Sequence, residues 1–118
     1  MGRHAGPIDY VVLKQVEPDS AAQIQVLLDF QTNIRTNYAR LIEMLEQGEQ
    51  ANVVSMVHRM KGSSRMVGAK DLANVCAAIE QAARDGDMNK AKAARKALDE
   101  AIEQIETYLD EAGSRGGR

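Results

Sequence analysis

The strongest constraint on this chain is where its helix breakers stand. Both prolines, Pro7 and Pro18, precede residue 19, so no later segment must give up a backbone amide to a pyrrolidine ring. Of the nine glycines, Gly2, Gly6, Gly113, Gly116 and Gly117 sit near the two ends, which leaves Gly48, Gly62, Gly68 and Gly86 inside. Between these breakers, apolar residues recur at spacings of three and four, the period of one helix face. The pattern predicts long helices that stop at Gly48, Gly68 and Gly86.

A short first helix is expected over 8–16, with Val12, Leu13 and Val16 on one side. It ends at Glu17-Pro18, because the residue before a proline resists helical angles. The second starts at Ser20, which with Gln23 matches a capping box, and carries Ile24, Leu27, Leu28, Ile34, Tyr38, Leu41 and Leu45. The third, over 50–67, has the seam Val53, Val57, Met60, Ser64 and Val67. The fourth carries Leu72, Val75, Cys76, Ile79 and Ala83 as far as Asp85-Gly86-Asp87, where Asp87 can cap the next helix. A fifth runs through Ala91, Ala94, Leu98, Ile102, Ile105 and Leu109. The expected fold is all-α: an up-and-down antiparallel four-helix bundle with a short N-terminal cap helix.

With 118 residues the chain can close one core. Residues 8–112 are assigned to that domain, 1–7 to a tail or cloning remnant, and 113–118 to a flexible tail; the glycine-rich ends suggest a piece of a longer protein. Aromatic residues make up only 3% of the chain, so aliphatic side chains must fill the core. A net charge of -2 and the absence of Trp weigh against nucleic acid as a partner. The single cysteine, Cys76, cannot form an internal disulfide. No apolar run approaches the roughly 20 residues that a membrane span needs, so a cytoplasmic monomer without membrane contact is expected.

The third helix carries the chemistry. At about 100° per residue, with the seam at zero, His58 falls about 140° away, Arg65 about 120°, Lys61 about 80° and Gly62 about 180°. His58 should therefore face water. Taken alone, an exposed helical histidine is ordinary surface decoration. Gly62 weighs against that, because a glycine inside a helix costs on the order of 1 kcal/mol relative to Ala and this one neither caps the helix nor packs. It stands one turn after His58, where a missing side chain would let another protein's backbone and phosphoryl group approach the ring. Imidazole, with a pKa of about 6.5, is largely neutral near pH 7 and offers a ring nitrogen to phosphorus. Lys61 and Arg65 would set positive charge where phosphoryl oxygens pass, although each alone also reads as part of a solvated cationic face.

The run His58-Arg59-Met60-Lys61-Gly62-Ser63-Ser64-Arg65-Met66-Val67-Gly68-Ala69 closely resembles the signature of histidine-containing phosphotransfer domains. The likeness extends to the preceding amphipathic helix, the Cys-containing helix that follows, and Asp85-Gly86-Asp87. It implies that His58 accepts a phosphoryl group from the aspartate of a receiver domain and returns it to another. It further implies that Lys61 assists the phosphoryl group, that Gly62 gives access, and that Glu80, at a position where the family often has Gln or Glu, hydrogen-bonds the histidine. Glu80 reads equally well as a solvated acid, and a carboxylate there would orient the neutral ring while repelling a phosphorylated one.

Such domains resemble half of an active site, so no cofactor is expected in this chain, and Mg²⁺ belongs to the receiver's acidic pocket. His4 and His58 have no metal-ligand spacing, and no nucleotide-binding glycine loop is present, so no kinase activity of its own is expected. Val54 at about 100° and Met66 at about 220° flank the histidine as apolar candidates for receiver contact, unless neighbouring helices cover them. Ser63 is a small neighbour of the notch, and Arg59, Lys61, Arg65 and Lys70 would form a basic patch complementary to receiver carboxylates. The partners implied are response-regulator receivers and a hybrid sensor histidine kinase. Two other readings stay open: a substrate module phosphorylated directly by a histidine kinase, and a non-catalytic helical adaptor in which His58 is incidental.

Overall fold

The computed structural model describes residues 7–116. Its helices are α1 (Tyr10–Val16), α2 (Ser20–Glu46), α3 (Gln50–Met66), α4 (Lys70–Arg84), α5 (Met88–Ala93) and α6 (Arg95–Gly116). α2 packs on α3 and α6, α3 on α4, and α4 on α5 and α6, which closes the expected antiparallel bundle, while α1 lies against α3. Leu41, Val53, Val57, Met60, Leu72, Cys76, Ile79 and Leu98 are among the fully buried residues at its centre.

The three glycine stops work alike. Gly48, Gly68 and Gly86 take φ of 68°, 77° and 78°. The amide after each returns to a carbonyl five residues back, Glu49 to Met44 at 2.9 Å, Ala69 to Ser64 at 2.8 Å and Asp87 to Ala82 at 2.8 Å. These bonds satisfy carbonyls that the helix end would otherwise orphan, and they fix the sharp reversal between neighbours. Gly68 has a second constraint. The Asp9 amide donates to its carbonyl at 2.8 Å, and a Cβ on Gly68 would stand 2.4 Å from the Asp9 carbonyl oxygen. Asp9 also caps α1, accepting from the Val11 amide at 3.0 Å, and pairs with Lys70 Nζ at 2.7 Å. The cap helix is thereby fastened to the α3–α4 turn.

Several expectations are corrected. α1 begins at Tyr10, because Asp9 is its cap, and Ile8 is buried ahead of it. The α2 cap is Asp19, not Ser20: Asp19 is extended after Pro18 and its carboxylate accepts from the Ala22 amide at 3.3 Å. Gln23 instead donates to the Glu17 carbonyl at 2.7 Å. Ile24 and Leu28, placed on the packed face, are exposed, whereas Phe30 is buried. α2 has 27 residues against 17 in α3 and 15 in α4; at about 1.5 Å per residue its first turns overhang both.

The expected fifth helix is broken at Ala94, whose amide is shared between the Lys90 and Ala91 carbonyls at 3.3 Å each. This three-centre bond interrupts the regular ladder for one residue, and Asp87 caps the first piece as expected, accepting from the Lys90 amide at 3.0 Å. α6 continues to Gly116, through residues assigned above to a tail, since extending an existing helix needs no new nucleus. The tail expected over 1–7 lies, apart from Pro7, outside the described residues.

Gly68→Ala should lower the unfolding free energy by about 2 kcal/mol or more, from left-handed strain and the Asp9 clash together. Gly48→Ala, with nothing within 4 Å of its Cβ, should lose only the strain, about 1 kcal/mol. Urea unfolding of both variants checks the difference, and equal losses would refute the close approach.

Candidate functional site

α3 turns its buried seam toward α4 and lifts the next face into solvent. The His58 side chain is 61% exposed, while Val57 and Met60 on either side of it in sequence order are fully buried. Its Nδ1 lies 2.9 Å from Glu80 Oε2. Glu80 is only 5% exposed, because α4 buries Ile79, Ala82 and Ala83 around it. It is not the solvated acid that the sequence left open.

A carboxylate removed from water is costly unless it is paired, and here both oxygens are. Lys61 Nζ donates to Oε1 at 2.5 Å, and Arg84 donates to Oε2 from Nη2 at 2.7 Å and from Nε at 3.2 Å. The Lys61 bond, with help from Arg84 and His58, outweighs burial and holds the Glu80 carboxyl down to about 2. Glu80 is therefore an anion throughout the neutral range.

This settles the proton between the two side chains. An ionised carboxylate can only accept, so the neutral His58 ring donates from Nδ1–H. Nε2 is left with its lone pair, on the exposed side of the ring. An imidazole held in one tautomer with the free nitrogen outward is a nucleophile that needs no separate base.

One turn on, a Cβ on Gly62 would meet nothing within 4 Å. The notch beside the histidine is open, and packing does not require glycine there. Ser64, next but one, is buried and donates to the Met60 carbonyl at 2.7 Å, whereas Ser63 and Arg65 are exposed. Ser63 and Met66, the latter 58% exposed, border a groove of about 270 Å³ with Val26, Phe30, Asn33 and Ile34 of α2.

Other candidates are placed less freely than their wheel positions imply. Lys61 is 18% exposed and committed to Glu80, so its ammonium neutralises the buried acid. Lys70 is tied to Asp9 at the base of α1. The Arg59 guanidinium rests on Met56 Sδ at 3.6 Å. The expected basic patch thus reduces to Arg59 and Arg65. Val54 is half-buried and packs against the core, so neighbouring helices partly cover it. Arg84 was missed: its i, i+4 spacing from Glu80 is legible in sequence, but only burial of Glu80 makes the pair part of the site. Cys76, one turn before Glu80, is fully buried, and desolvation pushes its thiol up to about 12, so it offers no thiolate.

Two outcomes follow from this geometry. Gly62→Ala should raise the unfolding free energy by about 0.5–1 kcal/mol, read from chemical denaturation, and a loss would contradict the open notch. Glu80 titrates near 2 folded against an ordinary 4.5, so its stabilisation is complete above pH 4.5 and is lost as pH falls toward 2. The stability gap between wild type and Glu80→Gln should therefore shrink from pH 4.5 downward, and a gap independent of acid would contradict the ionised cluster.

Comparison with known proteins places the fold and the family. Residues 25–108 match the model of the Hpt domain family. The structure is similar to histidine-containing phosphotransfer protein B (HptB) of Pseudomonas aeruginosa PAO1, with a TM-score of 0.83 at 23% identity over 95% of this chain and 98% of that one. It is also similar to a histidine-containing phosphotransfer protein from rice, with a TM-score of 0.75 at 22% identity over 89% and 81% of the two chains. A third, from maize, gives a TM-score of 0.72 at 20% identity over 91% and 87%. At such identities these structures speak for the fold, and no curated protein matches the sequence. The family match spans the helices that build the His58 site, and the chain belongs to the Hpt domain family, the histidine phosphotransfer intermediates of phosphorelays.

Proposed function

We propose that His58 is the phosphoacceptor and that Nε2 is the atom that carries the phosphoryl group. The observation that carries this reading is the exposed ring whose Nδ1 is held at 2.9 Å by a buried, ionised Glu80. The Nε2 lone pair attacks the phosphorus of an aspartyl phosphate on a receiver domain, the bond from phosphorus to the aspartate oxygen breaks, and the carboxylate leaves. Onward transfer runs the same exchange in reverse on another receiver, possible because an N–P bond on imidazole and an acyl phosphate are both reactive phosphoryl donors.

The chain supplies the nucleophile and its surroundings, and the receiver supplies its acidic pocket with Mg²⁺. Glu80 orients the ring, Lys61 and Arg84 keep Glu80 ionised, and Gly62 leaves room for the incoming group. Arg65, exposed two turns beyond His58, is available to phosphoryl oxygens. The groove beside Ser63 and Met66, together with the exposed Arg59 on the same flank of His58, is the surface offered to a receiver; Val54 contributes only its exposed part. Lys70 acts through Asp9 and α1. No helix among the described residues is long and apolar enough to cross a membrane, and a monomer working in the cytoplasm fits this role.

Incubation with a phosphorylated cognate receiver should place an acid-labile, alkali-stable label on the chain, and His58→Gln should carry none. Persistent absence of label with every receiver encoded by the same organism would remove the reading. If His58→Gln leaves signalling output intact, the helical adaptor replaces it. Gly62→Leu should slow transfer on the order of 10-fold to 100-fold by displacing the donor, and unchanged kinetics would count against the access role.

A further inference from the structure

We propose that the Glu80 carboxylate governs the charge of phosphorylated His58: it retains the proton on Nδ1 and so keeps the phosphoryl group in the form that departs readily. The inference rests on His58 as acceptor and concerns what happens after it is phosphorylated.

When Nε2 of the neutral ring takes the phosphoryl group, its lone pair becomes the N–P bond and the donor's P–O bond breaks. The ring still holds its Nδ1 proton, so it is now a phosphoimidazolium with one positive charge. Onward transfer breaks the N–P bond and returns its electron pair to Nε2. With the Nδ1 proton in place, the leaving group is neutral imidazole. If that proton has been lost to solvent, the leaving group is an imidazolide anion, a far poorer one. The rate at which the phosphoryl group leaves, to a receiver aspartate or to water, therefore follows the population protonated at Nδ1.

The structure sets a full negative charge against that proton. Glu80 Oε2 is 2.9 Å from Nδ1, on the ring edge opposite Nε2, so it meets the proton and not the phosphoryl oxygens. The repulsion expected from sequence, in which a carboxylate near the ring opposes a phosphorylated histidine, is thereby directed away from the phosphoryl group. A charge of opposite sign at hydrogen-bond distance favours the ionised form of its partner. Glutamine would keep the shape and an acceptor oxygen without the charge. That difference is what the proposal turns on.

The ionisable groups bonded into this cluster are Glu80, Lys61 and Arg84. The two cations oppose retention of the ring proton and moderate the effect of Glu80. α2 and α1 also pack on α3; they bring Asp29 to the groove beside Ser63 and Met66, and Asp9 to the Lys70 pair. Arg59 and Arg65 of α3 itself are exposed to solvent.

Phosphoramidate, a small-molecule phosphoryl donor that needs no receiver, can charge the intact chain, and ³¹P NMR then follows the phosphohistidine signal and its loss across pH. Wild type should lose phosphate with a pH midpoint about one unit or more above that of Glu80→Gln. Between the two midpoints the variant's phosphoryl group should last about tenfold longer. Arg84→Gln should move the midpoint the other way, upward, because one cation facing the cluster is gone. Coincident profiles for wild type and Glu80→Gln on labelled protein would overturn the proposal alone. Should Glu80→Gln not fold, an unchanged or lowered midpoint in Arg84→Gln would overturn it. No phosphorus on His58 in wild type would overturn the acceptor assignment and this proposal with it.

Discussion

The buried carboxylate of Glu80 is the interaction on which the site depends. An ion in that position is tolerated only while its partners are present, since breaking a buried pair leaves an uncompensated charge that costs about 3–5 kcal/mol. Lys61 and His58 come from α3, Arg84 from α4, so the cluster can form only when the two helices meet in one register and rotation. Glu80 thus joins folding to function: the same bond that satisfies its Oε2 fixes the tautomer of His58. Lys61 lies nearer to Glu80 than the ring does, at 2.5 Å, and supplies the main compensation for burial.

The register is supplied by the turn between those helices. Gly68 reverses the chain in three residues, from Met66 to Lys70, and its carbonyl and bare Cα both lie against Asp9. α1, a helix of 7 residues too short to persist alone, becomes a clamp on the turn through that contact and the Asp9–Lys70 pair. The bonds from α2 to α6, Arg35 with Glu106 and Tyr38 with Asp99, hold the opposite side of the bundle. They leave the His58 face of α3 uncovered.

Much of this was legible in the sequence, because the periodicity of apolar residues and the glycine stops report on the same geometry. Val53, Val57 and Met60 fix which way α3 faces, and His58 is exposed as their spacing requires. What stayed hidden depends on which helix ends where. Ile24 and Leu28 follow the apolar repeat of α2, but Ile24 lies a turn before its first buried residue and Leu28 lies off the face that Leu27, Phe30 and Ile34 bury. Ser20 and Asp19 both suit a cap, and only the extended backbone after Pro18 decides between them. The break at Ala94 leaves no mark in composition, since alanine is the best of helix formers.

The charged residues were the least legible for a related reason. Lys61 and Lys70 read as part of a solvated cationic surface until Glu80 and Asp9 are seen to claim them, and Arg84 gave no signal of its own. Glu80 itself could not be told from a surface acid, because burial of a charge depends on partners contributed by another helix. The family resemblance nominated it, and the cluster supplies the physical cause: a carboxylate flanked by two cations can remain ionised beneath a histidine without deforming the bundle.

The central claim, that Glu80 holds the His58 ring with Nδ1 protonated and Nε2 free, is tested most directly by long-range ¹H–¹⁵N correlation NMR of the uncharged protein. At about pH 8, where an ordinary imidazole is neutral, His58 should show a protonated Nδ1 and a bare Nε2, and Glu80→Gln should weaken that preference. A spectrum dominated by the Nε2–H tautomer would mean that Glu80 does not set the ring, and would contradict the account.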